Sequence, residues 1–281
     1  MKKLMAIFAH PDDEGAIAGT LSQYANQGVE VTLVCATRGE VGEISDPALA
    51  TAETLGDVRE KELNTACEIL GIQQLRMMSY RDSGMDGTPE NEDPRALVQA
   101  NPDEAIGEFV RLIREVQPDV VVTFEPYGWY GHPDHIAVSR WATAAFPLTS
   151  DPTAYPDKGA AWQPKRLFHA VIPFSKFGAV IEEAIAAGYI ESDGFGDRIQ
   201  DEAVIAAETA VTHIIPITDL FDTKQKAMMA HRTQFGPDSM FRKIPKEMMI
   251  KMSGNEHFIQ ISPTPSPELR QNRLSDLFAG L

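Results

Sequence analysis

Two short clusters of histidine and aspartate carry the most reactive side chains in this sequence. His10 and Asp13 lie three residues apart with Asp12 between them, and residues 132–135 read His-Pro-Asp-His. At the start of a helix, side chains at i and i+3 share a face, so an imidazole and a carboxylate can converge on one ion. With a histidine from the second cluster they make a three-ligand set, and catalytic zinc typically keeps three protein ligands and one open position. Because the clusters are far apart in the chain, we predict a catalytic rather than a structural metal site.

The hydrophobic pattern predicts the elements that position these clusters. Apolar runs predict strands, and amphipathic segments between them predict helices. This alternation is typical of βαβ units and a mainly parallel sheet, whose ligands lie at the carboxyl ends of the strands. The loops that begin near His10, Arg38, Asp82 and His132 should therefore gather at one edge. The predicted strands are Leu4–Ala9, Val29–Thr37, Leu75–Tyr80, Val120–Phe124, Leu167–Ile172 and Val211–Ile217, and the predicted helices are residues 14–26, 57–70, 104–116, 135–146, 177–187 and 224–234.

A stretch rich in proline and aspartate, residues 149–164, is the best candidate for a boundary. We therefore expect an α/β metal-hydrolase core in residues 1–150. Residues 151–281 should complete the sheet and shape the substrate pocket without forming an independent domain.

Composition narrows the class of protein. The 281 residues are 43% apolar and 23% charged, which is ordinary for a globular protein. The net charge of −16 argues against nucleic-acid binding, since an acidic body repels phosphates. Two cysteines exclude a disulfide scaffold. The apolar run after Met1 is too short for a signal peptide, and no run reaches the length of a membrane span, so we expect a cytoplasmic location.

The two clusters, taken together, also resemble a known family. Ala-His-Pro-Asp-Asp-Glu at residues 9–14 and Gly-His-Pro-Asp-His at residues 131–135 are similar to the LmbE-like (PIG-L) N-acetylglucosaminyl deacetylases. Residues 37–43 and 81–85, and Tyr130 before the second cluster, extend the resemblance. It covers residues 4 to about 146 and is closest to the mycothiol-pathway branch of deacetylases and amidases.

The resemblance implies a Rossmann-like three-layer α/β fold and a zinc-dependent hydrolase. By position it implies that His10, Asp13 and His135 are the metal ligands. It also implies roles in catalysis and substrate binding. Asp12 would be the general base, His132 the acid or oxyanion stabiliser, Asp134 the residue that orients His132, Tyr130 a donor near the reacting carbonyl, and Arg59, Asp82 and Glu43 the substrate-binding residues.

Amide hydrolysis is consistent with these residue types. Bound zinc lowers the pKa of water to ~7, a neighbouring carboxylate such as Asp12 can accept a proton, and His132 and Tyr130 can donate to the oxyanion. Either Asp12 or His132 could protonate the leaving amine. We therefore expect a small-molecule substrate, an amidated sugar that contains N-acetylglucosamine.

Several alternatives stay open at this stage. An amidase acting on a thiol (mycothiol-type) S-conjugate would use the same chemistry. Two histidines and a carboxylate also describe the non-haem Fe(II) site of oxygenases. A dinucleotide-binding module is disfavoured because no glycine-rich turn follows the first strand, and a non-catalytic sugar-binding protein would not need Asp12 or His132. Zn²⁺ is the default metal, with Fe²⁺ or Co²⁺ as alternatives, and the oligomeric state, including a homo-oligomer, is left open.

Overall fold

The computed structural model describes residues 1–191 and 202–281, and its centre is a seven-stranded sheet. The strands are β1 Lys3–Phe8, β2 Glu30–Cys35, β3 Gln74–Met77, β4 Val120–Phe124, β5 Arg166–Val171, β6 His213–Pro216 and β7 Asn255–Ser262. They lie in the order β3-β2-β1-β4-β5-β7-β6. The predicted α/β fold with a mainly parallel sheet is therefore confirmed.

Helices and single turns connect the strands. Their bounds are α1 Ala18–Asn26, α2 Leu55–Leu70, α3 Pro102–Val116, α4 Gly128–Gly131, α5 Pro133–Leu148, α6 Phe174–Ala186, α7 Glu202–Thr209, α8 Phe221–Met228, α9 Met240–Lys243, α10 Lys246–Ser253 and α11 Pro267–Gln271. Among the helices of the described residues, none combines the length and the apolar composition that spanning a bilayer requires.

β1 lies at the centre of the parallel part of the sheet. Leu4 pairs with Val31 of β2 on one side and with Val120 of β4 on the other. From Leu4 to Phe8 the side chains are at most 1% exposed, as expected for a strand covered on both faces. Because β1 to β4 run in the same direction, the loops after them meet at one edge of the sheet.

The last strand, β7, was not predicted from the sequence. It pairs antiparallel with β5 and β6, for example Ile259 with His169 and Glu256 with Ile215. Buried and partly exposed residues alternate along it, so no continuous apolar run marks it.

The sheet crosses the proposed boundary, because β5 pairs with β4. The connection between them is held by Arg114, which is 4% exposed. Its guanidinium donates to the carbonyl oxygens of Thr149, Asp151 and Tyr155 at 3.1, 2.7 and 2.8 Å. The segment is thus packed against the core.

The helix expected at residues 224–234 was placed too late, because α8 ends at Met228. Beyond it, the backbone N–H of Thr233 donates to the Glu62 carboxylate at 2.9 Å, and the Thr233 hydroxyl donates to it at 2.6 Å. A side chain of α2 therefore accepts the N–H of Thr233, which lies within the predicted helix, and this is a contact that local periodicity does not contain.

Candidate active site

The first cluster lies in the turn directly after β1. The backbone N–H groups of Ala9 and His10 donate to Oδ2 of Asp13 at 3.1 and 2.7 Å. The other oxygen, Oδ1, lies 3.2 Å from Nε2 of His135. Burial raises the pKa of Asp13, but His135 and His10 outweigh that effect and hold the pKa well below its usual value. The carboxylate is therefore both ionised and fixed in orientation.

Asp12 lies in the same turn with an unusual backbone. Its φ is 105°, in the left-handed region that non-glycine residues rarely adopt. Contacts with the side chains of Glu14 and Arg59 stabilise this conformation. The Asp12 N–H donates to Oε2 of Glu14 at 3.0 Å, and Arg59 donates to the carbonyl of Pro11 at 2.5 Å and lies 3.2 Å from the Asp12 carboxylate. Glu14 is held in turn by His231, whose Nε2 lies 2.6 Å from Oε1.

The second cluster begins α5, which starts at Pro133, two residues before the predicted start at His135. His132 is the N-cap, and its Nδ1 accepts the backbone N–H of Asp134 at 3.2 Å. Nδ1 of His135 lies 3.2 Å from the carbonyl of Gly128. A side chain at residue 128 would place Cβ 2.6 Å from Cβ of His135, and φ there is +68°, so this position requires glycine.

The two clusters converge on one point. Nδ1 of His10 lies 3.1 Å from Nε2 of His135, and the Asp13 carboxylate lies 3.6 and 3.2 Å from these nitrogens. Nδ1 of His135 faces a carbonyl and Nε2 of His10 faces carboxylates, so the two facing nitrogens can both serve as metal ligands once His10 is deprotonated. Zinc ligands at ~2.0–2.1 Å from the ion would lie about 3.3 Å apart. The donor set and its spacing fit a divalent cation.

Other side chains surround the same point. Nitrogens of His10, His132 and His135 lie within 4.8 Å of one another, as do ligand atoms of His10, Asp82 and Asp134. His10 belongs to both sets, with Nε2 lying 3.5 Å from Asp82 and 3.1 Å from Asp134. These residues could hold a metal ion. The carboxylates of Asp82 and Asp134 face Nε2 of His10, on the side of the ring opposite Nδ1. They can fix the tautomer that leaves Nδ1 free for a metal.

Asp134 does not hold His132 in the expected way. Its carboxylate accepts from the backbone N–H of Ser83 at 3.0 Å and from the Ser83 hydroxyl, and it faces His10. It is the backbone of Asp134 that contacts His132. Asp134 is the second residue of α5, and its side chain points back toward the loop after β1. The expectation that this carboxylate orients His132 is therefore corrected.

Burial shifts the pKa values of Asp12 and His132, the two groups expected to transfer protons. Burial raises the pKa of Asp12 to about 6, although the Arg59 guanidinium acts in the opposite direction. Burial, together with the neighbouring rings of His10 and His135, lowers the pKa of His132 to about 4. Near neutral pH, His132 is thus uncharged, and because Nδ1 accepts a hydrogen bond, its proton is on Nε2.

The remaining candidates differ in placement. The ring of Tyr130 lies 6.1 Å from that of His132 and 5.0 Å from that of His135, measured between centroids. Asp82 is buried, and its Oδ1 accepts from the N–H of Gly84 at 2.9 Å. Glu43 is exposed in the loop after β2. A contact of Asp82 or Glu43 with substrate stays a prediction.

Arg59 is only 3% exposed, and its guanidinium contacts protein atoms. In addition to Asp12 and Pro11, it donates to the carbonyl of Gly39 at 3.0 Å. These contacts give it a role in holding Asp12. A contact of Arg59 with substrate stays a prediction.

Two contributors were missed or left unassigned by sequence reasoning. Ser83, which binds the Asp134 carboxylate, follows Asp82 directly, and its place in the motif of residues 81–85 was the available signal. The His231–Glu14 contact joins residues from opposite ends of the chain, and its acidic partner was visible only as the last residue of the first motif.

A cavity of about 270 Å³ lies beside the cluster. Asp12, Asp13 and Tyr130 line one end of it. The rest of the wall comes mainly from apolar side chains of the C-terminal part of the chain, such as Phe177 and Met249.

The fold and the site match one family. The sequence model of the PIG-L family, described as GlcNAc-PI de-N-acetylase, matches residues 5–146, about half of the chain. A 1D-myo-inositol 2-acetamido-2-deoxy-alpha-D-glucopyranoside deacetylase of Nocardiopsis dassonvillei is 40% identical over 99% of this chain and 100% of its own. The enzyme of the same name from Geodermatophilus obscurus is 36% identical over 100% of this chain and 98% of its own.

A solved structure supports the fold. The N,N'-diacetylchitobiose deacetylase of Pyrococcus horikoshii aligns with a TM-score of 0.65 at 22% identity, covering 95% of this chain and 88% of its own. The protein is a hydrolase with an α/β fold, and it deacetylates an N-acetyl sugar. The chain belongs to the PIG-L family. The predicted resemblance and the predicted enzyme class are confirmed, which favours hydrolysis over the oxygenase and dinucleotide-binding alternatives.

Proposed function

We propose that this protein is a zinc-dependent deacetylase of an N-acetylglucosamine conjugate. The observation that carries the proposal is the pair of facing imidazole nitrogens of His10 and His135, 3.1 Å apart, beside the fixed carboxylate of Asp13. Two imidazole nitrogens and a carboxylate that converge on one point are the ligand types of a catalytic zinc site. The names of the curated relatives make the inositol conjugate of N-acetylglucosamine the first candidate substrate.

His10, Asp13 and His135 would hold the metal. When bound, a divalent ion polarises a carbonyl oxygen and lowers the pKa of water. The surrounding carboxylates of Asp82 and Asp134 would then keep His10 in the tautomer that presents Nδ1.

Asp12 would move the proton. Its carboxylate takes a proton from the attacking water and returns it to the nitrogen of the amide, so that water and amide become acetate and a free amine. A pKa raised to about 6 suits both steps, because the group is a base in the resting enzyme and a competent acid once protonated. Arg59 and Glu14 hold Asp12 in its strained conformation during both steps.

His132 would act as a hydrogen-bond donor. A neutral ring with its proton on Nε2 can stabilise the oxygen on which negative charge develops, but it has no second proton to give to the amine. This assigns protonation of the leaving amine to Asp12. Tyr130, at the rim of the cavity, would supply a second donor to the same oxygen.

Acetate release tests the proposal. Substrates would be N-acetylglucosamine and its inositol conjugate, with wild type before and after chelation and after reconstitution with Zn²⁺, Fe²⁺ or Co²⁺. Asp12→Ala serves as the catalytic variant, and metal content is measured by elemental analysis. We expect chelator-sensitive acetate release that zinc restores and that Asp12→Ala lacks.

Each outcome has a separate meaning. Full activity in a protein shown to contain no metal would contradict the metal assignment. Stoichiometric metal with no acetate from either sugar would contradict the proposed substrate but leave the metal site standing. Equal activity of Asp12→Ala and wild type would contradict the role of Asp12.

A further inference from the structure

The cavity beside the cluster is more apolar than an acetylated, polyhydroxylated sugar requires. Its wall includes Ile172, Phe174, Phe177, Phe241, Met249 and Met252. Methionine and phenylalanine provide an adaptable, purely apolar surface. The methyl group of acetate would leave most of the 270 Å³ unfilled.

Lys224 and Glu256, the charged pair in the wall, are bonded to each other and to the backbone. Nζ of Lys224 lies 2.7 Å from the Glu256 carboxylate and 3.1 Å from the carbonyl of Ala16. The same carboxylate accepts the N–H groups of Gly19 and Thr20 at 2.9 and 2.7 Å. Hydroxyl groups that entered this cavity would exchange bonds to water for contacts with hydrocarbon, which is unfavourable.

The position of the cavity indicates which part of a substrate enters it. It meets the cluster at Asp12, Asp13 and Tyr130, the residues that would surround the scissile carbonyl carbon. Glu43 and Asp82, the predicted ligands of sugar hydroxyls, are not part of its wall. With the sugar on the side of Glu43 and Asp82, the cavity lies on the acyl side of the amide.

We propose that the cavity binds an apolar acyl chain longer than acetyl, so that the enzyme hydrolyses N-acyl glucosamines with fatty acyl groups. This inference rests on the proposed function, because it uses the same reacting centre. The products are the fatty acid and the free amine, formed by the same transfer of water across the amide bond.

A chain-length series tests the inference. The zinc-loaded full chain would be assayed with N-acetyl-, N-butyryl-, N-hexanoyl- and N-octanoylglucosamine. Burial of one methylene should raise kcat/KM about three- to fourfold until the cavity is filled. Ile172→Trp, which reduces the space, should lower the ratio of hexanoyl to acetyl kcat/KM by at least tenfold.

Ile205→Trp is the matched control, because Ile205 is 52% exposed on α7 and is not part of the wall. It should leave the chain-length ratio unchanged. Since each ratio is taken within one variant, a general loss of folded protein does not change it. Phe177→Leu, which keeps the wall apolar, should retain the preference for longer chains.

The outcomes separate this inference from the proposed function. Hydrolysis of the acetyl substrate that declines steadily with chain length would overturn the inference and leave the deacetylase intact. No hydrolysis of any member would contradict both. A faster rate for the octyl than for the methyl glycoside of N-acetylglucosamine, with no gain from longer acyl chains, would overturn the acyl placement and assign the cavity to the aglycone.

Discussion

At the level of single residues, the proposed mechanism depends on the conformation and protonation of Asp12. The carboxylate is held by Arg59 and by a left-handed backbone that Glu14 supports. Burial raises its pKa to about 6. Local contacts that come from three parts of the chain therefore make an ordinary aspartate suitable for proton transfer.

Asp12→Asn keeps the shape of this side chain and removes its basicity. We expect kcat to fall by about 10²–10⁴, with metal content unchanged, because a positioned base contributes that much. Elemental analysis and steady-state kinetics check both parts. Asp238→Asn, at a fully exposed aspartate on the surface, is the matched control and should keep wild-type kcat.

The pH profile reports the same residue. The base must be deprotonated, so activity should rise with pH through an apparent pKa at or below about 6, since a bound cation would lower the pKa of Asp12 further. His132→Ala should lower kcat by about 10²–10³ but keep this acid limb. Loss of the limb in His132→Ala would show that His132, rather than Asp12, is the titrating base.

At the level of elements, a buried ion pair joins the C-terminal half to the start of α1. Lys224 of α8 contacts Glu256 of β7, and both side chains are nearly inaccessible. Glu256 in turn accepts two N–H groups in the first turns of α1, the helix that follows the first cluster. A carboxylate at a helix N-terminus also interacts favourably with the helix dipole. The pair therefore fixes how α1 is seated on the sheet.

Lys224→Met should reduce the free energy of unfolding by about 3–5 kcal/mol, because it leaves the Glu256 charge buried without its partner. Urea denaturation followed by circular dichroism measures this value. Lys246→Met removes the partner of Asp222 from an exposed pair and should cost about 0–1 kcal/mol. Equal losses in the two variants would contradict a structural role for the buried pair.

At the level of the whole molecule, buried histidines link stability to pH. His169 of β5 is 4% exposed, and burial lowers its pKa to about 4. In the unfolded chain the pKa returns to about 6.5. Between pH 6.5 and 4, His169 therefore binds a proton in the unfolded state but not in the folded state. The free energy of unfolding falls as the pH is lowered through this range, and the effect ends near pH 4, where both states are protonated.

His169→Gln removes this linkage. Between pH 6.5 and 4, its unfolding free energy should fall by about 3 kcal/mol less than that of wild type. Chemical denaturation at several pH values measures the difference. The offset between the two proteins at pH 7.5 gives the cost of altered packing, including the 2.9 Å contact between His169 and Thr143. Parallel curves from pH 7.5 to 4 would contradict the linkage.

The sequence alone determined that the two histidine and aspartate motifs form the candidate site, and at which edge of the sheet they meet. The reason is physical: continuous apolar runs such as β1 and β4 predict a parallel sheet, and loops after parallel strands converge. Only the tertiary structure decided what each side chain contacts. The Asp134 carboxylate turns to Ser83, His231 supports Glu14, and Lys224 reaches Glu256. These partners are distant in the chain, so no local spacing or periodicity records them, and the apolar cavity is likewise assembled from side chains that only folding brings together.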